Sequence, residues 1–118
     1  MERAPQGERR DQKERREVVF TPAVLNVEEP DGIHNSFGIM FDAVDEPQCR
    51  SYRLAIRKIA DAEKLLPFHQ GGSNEKMGWQ YFEFFAQTSK DAVLALFPKI
   101  HEKAKEEFDT LKRMGFFE

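Results

Sequence analysis

The sequence has few of the features that mark the better-known functional classes. It contains one cysteine, Cys49, so an intrachain disulfide is impossible and a disulfide-stapled secreted scaffold is excluded. No apolar run approaches the roughly 18–20 residues that a membrane helix needs. The first residues lack the apolar core of a signal peptide. Together these absences predict a cytoplasmic protein.

Signatures of catalysis and metal binding are also lacking. None of the three histidines stands at a spacing from another ligand that would close a metal site. The segment Gly71-Gly72-Ser73 lacks the ending of a phosphate-binding loop, so a flexible connection is expected there. Cys49 has no recognisable base, and a small buried residue is the expectation. We therefore predict no enzyme activity, no metal and no cofactor.

Charge of one sign is not in excess, because the formal net charge of the 118 residues is -3. Composition thus disfavours a strongly basic nucleic-acid binder, and any such binding would need a local patch. The hydrophobic fraction of 40%, with 11 phenylalanines, suffices for one core. The expected organisation is a charged arm over residues 1–17 and a single domain over residues 18–118.

The arm has six basic and five acidic residues, and no large apolar residue after Met1. It cannot bury a face by itself. Two interpretations remain open: a solvated tail, or a tether that folds on a protein partner. In the second, the contacts would come from Arg9, Arg10, Arg15 and Arg16.

The order of sequence patterns predicts an α+β fold with about three antiparallel strands packed against two helices. An alternative is a partial OB-like barrel with a C-terminal helix. A hairpin and a helix that starts at Asp45 come first, then a loop, an aromatic strand and a helix capped by Thr88 or Ser89. The expected ranges are 18–27 and 35–43 for the hairpin, 45–66 for the helix, 68–76 for the loop and 78–86 for the aromatic strand.

Both helices carry apolar stripes. The first buries Tyr52, Ile56 and Ile59, and a basic stripe lies on another of its faces. In the second, a stripe from Val93 to Gly115 passes Pro98, which predicts a kink or two abutting helices. The basic stripe consists of Arg50, Arg53, Arg57 and Lys64.

The aromatic strand has two faces of similar hydrophobicity. We expect the face with Phe82 and Phe84 to be core. The other face, with Trp79, Tyr81, Glu83 and Phe85, either packs as well or forms an exposed stacking surface. An exposed aromatic surface beside a basic helix is typical of single-stranded nucleic-acid binding. In that hypothesis Trp79, Tyr81 and Phe85 stack on bases, and the basic stripe holds the backbone.

The feature order resembles small phage-type single-stranded DNA-binding proteins of the OB-fold kind. Their opening strand is similar to residues 19–30, from Val19-Phe20-Thr21-Pro22 to Glu29-Pro30, and a strand like Phe37-Gly38-Ile39-Met40-Phe41 follows. A helix like residues 54–60 and an aromatic strand like residues 79–86 complete the likeness. The resemblance implies single-stranded DNA binding and a partner-docking C-terminal tip at Phe116-Phe117-Glu118. After Ser89 the chain departs, because a long helix replaces the strands that close the barrel.

A second hypothesis is a small protein-binding inhibitor or adaptor, of a kind that phages encode. It would use the charged arm together with Phe116 and Phe117, since two aromatics at a chain end are unusual to leave in water. A sheet with open edges also makes a homodimer an expectation.

Overall fold

The computed structural model describes residues 18–29, 36–65 and 78–117, and the backbone alone of residues 67–75. It confirms the α+β class, with two helices packed on one antiparallel sheet. The elements in chain order are β1 Val24–Glu28, β2 Ser36–Ala43, α1 Glu46–Ala62, β3 Pro67–Glu75, β4 Gly78–Ala86 and α2 Lys90–Arg113.

The sheet has four strands in the order β1-β2-β4-β3, and every neighbouring pair is antiparallel. The predicted hairpin of β1 and β2 is confirmed, although β1 begins after Pro22 and Ala23. In the described part of the chain the sheet is open, with β1 and β3 at opposite edges. The partial barrel of the alternative prediction is therefore not formed by these strands.

The loop predicted over residues 68–76 is wrong, because the segment forms most of β3. Glycine has a low strand propensity, and Gly71 and Gly72 favoured a loop. In the sheet, however, they pair with Phe82 and Tyr81 of β4. A large aromatic side chain next to an edge glycine compensates for the missing side chain. Tertiary pairing has overridden local propensity here.

The helices cover one face of the sheet, over β1, β2 and β4. On β4 the covered positions are the odd ones, with Tyr81, Glu83 and Phe85 buried. The expectation that Phe82 and Phe84 lie in the core is wrong. The register of the strands explains why the odd residues of β4 are buried instead. Phe85 lies opposite Phe37 and Tyr81 lies opposite Phe41. Phe37 and Phe41 are on the face of β2 that packs against the helices, so the odd residues of β4 lie on that face as well.

Helix α1 begins where the sequence predicts. Asp45 is its N-cap and accepts a hydrogen bond from the backbone N–H of Gln48. The predicted apolar stripe is buried, and Cys49 with it. The helix ends at Ala62, earlier than expected, and Lys64 follows with a φ of 61°. Leu66, the predicted end of the helix, lies outside the described residues.

Helix α2 is a single helix of 24 residues with Pro98 inside it. Of the two predicted alternatives, that of two abutting helices is therefore wrong, and a kink at Pro98 stays a prediction. Ser89, not Thr88, is its N-cap. Gly115 is exposed and has a φ of +83° beyond the helix end. The N–H of Phe116 donates to Leu111 O and that of Gly115 to Lys112 O, which is the Schellman arrangement. Gly115 therefore ends the helix and does not extend its buried stripe.

The segment before β1 is fastened to the helices by backbone contacts. Buried Gln48 accepts from the N–H of Thr21 at 2.9 Å and donates to Val19 O at 3.0 Å. Lys112 donates to Val18 O at 2.8 Å. The ring of Phe20 packs between Tyr52 and Phe108. None of the described helices has the length and apolar character needed to cross a bilayer.

Candidate interaction surfaces

The three predicted stacking residues do not form an exposed surface. Tyr81 is 7% exposed and Phe85 is 0% exposed. Trp79 is half-buried and packs against the core. All three lie on the sheet face that the helices cover, so stacking of Tyr81 or Phe85 on a base would require the core to open. The prediction that Tyr81 and Phe85 bind bases is therefore wrong for this arrangement, while that for half-buried Trp79 stays a prediction.

A different pair of aromatics lies on the opposite side of the sheet, which we call the outer face. Phe82 and Phe84 are two residues apart on β4, a central strand, and their ring centroids are 5.8 Å apart. Both side chains are half-buried, as is that of Met40, which lies opposite Phe82 on β2. Both described helices pack on the other side of the sheet. Phe82 and Phe84 thus lie side by side on a central strand, on the side of the sheet away from both described helices.

Gly38 lets one of these rings lie close to the neighbouring strand. It is the register partner of Phe84. A Cβ at Gly38 would come within 2.5 Å of Phe84 Cδ1 and would overlap with the backbone oxygen of Glu83. Any larger residue would force the ring and the β4 backbone to move. The position of Phe84 therefore depends on the absence of a side chain at residue 38.

The charges described on the outer face are acidic. Asp42 is exposed and lies opposite Gln80, and half-buried Glu28 lies opposite Gly38. Uncharged Asn26, opposite Met40, is exposed as well. A ligand on this face would therefore be held by stacking and by neutral hydrogen bonds more than by attraction to its negative charge.

The predicted basic stripe lies on the opposite side of the sheet, on α1. Arg50 donates to Glu46 one helical turn before it, with Nη2 and Oε2 3.0 Å apart. Arg53 lies over Tyr81, with its guanidinium carbon 5.7 Å from the ring centroid. Lys64 is exposed but follows the helix end, so it does not continue the stripe. Two of the four predicted cations, Arg53 and Arg57, thus meet the aromatic strand.

Arg57 contacts Glu83, the one carboxylate on the covered face of β4. Glu83 is 0% exposed, and Arg57 Nε is 3.0 Å from its Oε2. The direction of the Nε–H bond favours Oε1, at 3.3 Å, which also accepts from the hydroxyl of Tyr81 at 3.0 Å. Glu83 Oε2 is thus close to a cation but lacks a directed hydrogen bond in the described structure. We call this group the Glu83 cluster: Arg53, Arg57, Tyr81 and Glu83.

The cluster changes the acidity of its members. Burial, together with the charge of Glu83 and its hydrogen bond, raises the pKa of Tyr81 to about 12. Burial lowers the pKa of Arg57, but the neighbouring Glu83 and Tyr81 outweigh it and raise that pKa above its usual value. Tyr81 is therefore a neutral hydrogen-bond donor, and Arg57 a permanent cation, throughout the physiological range.

The residues predicted to bind a protein partner lie in different environments. Phe117 packs on Phe108 with centroids 5.1 Å apart, so it belongs to the fold. Phe116 is 56% exposed. The arm residues Arg9, Arg10, Arg15 and Arg16 lie outside the described residues. Among the residues that are described, no group of three His, Cys, Asp or Glu side chains is placed to hold a metal.

The sequence did not indicate that Phe82 and Phe84 lie on the outer face or that Glu83 is buried, and both have the same cause. Each face of β4 has aromatic residues and one strongly polar residue, so a period of two cannot distinguish them. The pairing with β2 distinguishes them, and only a three-dimensional register supplies it. No family model, curated protein or solved structure matches the chain. The resemblance to OB-fold DNA-binding proteins therefore rests on the sequence pattern alone.

Proposed function

We propose that this protein is a non-enzymatic binder of single-stranded nucleic acid that uses its outer face. The observation that carries the proposal is the pair Phe82 and Phe84, neighbouring rings on a central strand of an antiparallel sheet backed by two helices. Sheets that present aromatics in this way bind single strands by stacking two or three bases. This protein is similar to them in the arrangement of its sheet, helices and aromatic residues.

Stacking suits single strands because every base has a π-face, whatever its sequence. Each stacked base is worth about 1–3 kcal/mol, so two rings give a useful affinity. Because Asp42 and Glu28 lie on the same face, the cations that accompany binding have to come from elsewhere in the chain. We therefore expect weak sequence preference, and a salt dependence shallower than that of a basic groove.

The experiment is fluorescence anisotropy of a labelled single-stranded oligonucleotide, titrated with the full chain at low and moderate salt. We expect Phe82→Ala and Phe84→Ala each to weaken binding about five- to hundredfold, the loss of one stacked base. Phe116→Ala is the matched control, since it removes an exposed phenylalanine away from the sheet. No binding at low salt, or equal losses in all three variants, would contradict the proposal.

A protein partner is the second candidate, and the acidic charge of the outer face favours it. Asp42 and Glu28 beside two aromatic rings would complement a partner with a basic rim around an apolar centre. A small inhibitor or adaptor would bind in this way, and a homodimer through a sheet edge stays a prediction. A partner captured by wild type and Phe116→Ala but lost with Phe84→Ala, in a chain that binds no oligonucleotide, would support this candidate over the first.

A further inference from the structure

The Glu83 cluster holds two arginines in place on the helix-covered side of the sheet. Arg53 and Arg57 are four residues apart on α1, so they lie one above the other on the same face of the helix. One is fixed over the ring of Tyr81 and the other by the carboxylate of Glu83. Both anchors belong to β4. Each guanidinium group therefore has a partner on β4 before any ligand arrives, which lowers the entropic cost of binding.

The cluster has a surplus of positive charge. Its two arginines face one carboxylate, and the described partner of Arg53 is an aromatic ring. The contact between Arg57 and Glu83 uses Nε. Arg57 also has a side-chain hydrogen bond with Tyr81, and the remaining N–H donors of its planar guanidinium can bind phosphoryl oxygens. The side chain of Arg57 is 47% exposed, so a ligand in water can reach it.

Beside the cluster the backbone of the sheet extends beyond the two helices. In the described structure neither helix packs extensively over β3, which lies next to β4 at the sheet edge. The register partner of Tyr81 on β3 is Gly72, which has no side chain. Two neighbouring guanidinium groups at the margin of the helix-covered face are a favourable place for an anion.

We propose that Arg53 and Arg57 form a binding site for a phosphoryl group, with Glu83 and Tyr81 as the residues that position them. The site goes beyond the proposed stacking function, because it lies on the opposite side of the sheet from Phe82 and Phe84. A nucleic-acid backbone and a small phosphorylated compound would present the same chemistry to it. Arg50 is not part of the site, since its charge is neutralised by Glu46 within α1.

The test follows the Nε–Hε NMR signals of arginine in the full-length 15N-labelled protein during titration with inorganic pyrophosphate. A titration with sodium chloride of equal ionic strength is the reference. We expect saturable shifts for Arg53 and Arg57, while Arg50 follows the chloride reference. Arg53→Gln should weaken pyrophosphate binding about tenfold, the loss of one charge-assisted contact. Arg50→Gln, the matched control, should change it less than twofold.

Shifts of equal size at Arg50, or unchanged affinity in Arg53→Gln, would overturn the proposal. Arg57 is tested with Arg57→Lys, which keeps the charge opposite Glu83 and removes the planar fork. This variant should also weaken pyrophosphate binding, with the backbone spectrum preserved.

An oligonucleotide titration separates this proposal from the function proposed above. If pyrophosphate binds and the oligonucleotide does not, the phosphoryl site stands for a small compound and the stacking function fails. If the oligonucleotide binds in a manner that Phe84→Ala abolishes, while pyrophosphate moves neither arginine, the stacking function stands and the phosphoryl site fails.

Discussion

Glu83 is a charged residue in a position where an apolar one would pack. It is 0% exposed on the core side of β4, between Tyr81 and Phe85. The free-energy cost of burying a carboxylate is large unless a cation and hydrogen bonds offset it. Here Arg57 supplies the cation and Tyr81 one hydrogen bond. The stability of the sheet should therefore depend on Arg57 through Glu83.

Arg57→Ala should destabilise the protein by about 3 kcal/mol, because it leaves the carboxylate of Glu83 buried without its cation. The double variant Arg57→Ala with Glu83→Gln should recover most of that loss, since a neutral amide can still accept from Tyr81. The measurement is the free energy of unfolding from urea denaturation of the two variants and wild type. A double variant as unstable as Arg57→Ala would show that Arg57 contributes packing and not charge compensation.

Several residues of the Glu83 cluster could be selected from the sequence, but their arrangement could not. The steps of three and four residues on α1 correctly placed Arg53 and Arg57 on one helical face. Whether Tyr81 faces a ligand or the core depends on the face on which the helices pack. That choice is made by long-range packing, which no local pattern contains.

At the scale of elements, local chemistry predicted the starts of helices better than their ends. Asp45 and Ser89 have oxygen-bearing side chains that accept an orphan backbone N–H, and both act as N-caps. The end of α1 at Ala62 has no comparable signal before Pro67. Strand β3 had the weakest signal, because its glycines and polar residues gain their extended form from pairing with β4.

The two candidate caps of α2 give a direct test at this scale. Ser89→Ala should cost about 1 kcal/mol of unfolding free energy, since it removes the acceptor for the N–H of Ala92. Thr88→Ala should cost less than half as much, because Thr88 precedes the cap. Urea denaturation of both variants measures the difference. Equal losses would mean that the cap hydrogen bond contributes nothing beyond the ordinary effect of a hydroxyl deletion.

At the scale of the whole molecule, the two faces of the sheet have different roles. The helix-covered face of the sheet holds the core and the Glu83 cluster, while the outer face bears Phe82 and Phe84. A substitution on the outer face therefore tests binding while the side chains between the sheet and the helices stay unchanged. A substitution in the Glu83 cluster removes contacts between α1 and β4, and so it also changes the stability of the fold. Its effects on binding have to be separated from its effects on folding.

A polar contact within the helical layer links global stability to pH. Tyr52, which is fully buried on α1, lies with its hydroxyl 2.6 Å from Nδ1 of His101 on α2. A backbone hydrogen bond from Ala23 lowers the pKa of Tyr52, so the N–H of Ala23 donates to the hydroxyl oxygen. The hydroxyl proton is therefore available for His101, and we infer that it is donated to an unprotonated Nδ1. Burial lowers the pKa of His101 below its usual 6.5. Protonation would remove the acceptor and charge a partly buried ring.

The direction in which the free energy of unfolding changes with pH depends on whether the folded or the unfolded state binds the proton at the higher pH. With a lowered pKa in the fold, the unfolded chain takes up the proton at a higher pH than the native protein does. The stability contributed by neutral His101 is therefore complete above the unfolded pKa, near 6.5. It declines as the pH falls below that value, and is lost once the pH is below the folded pKa.

We expect the free energy of unfolding of wild type to fall between pH 8 and pH 5.5 by more than that of His101→Gln, whose side chain stays neutral. Urea denaturation at several pH values in this range gives both curves. His34 and His69 remain in both proteins, so their titration cancels in the difference between the two curves. Parallel curves would mean that His101 protonates equally well in the folded and unfolded states. The contact with Tyr52 would then not keep Nδ1 free of a proton.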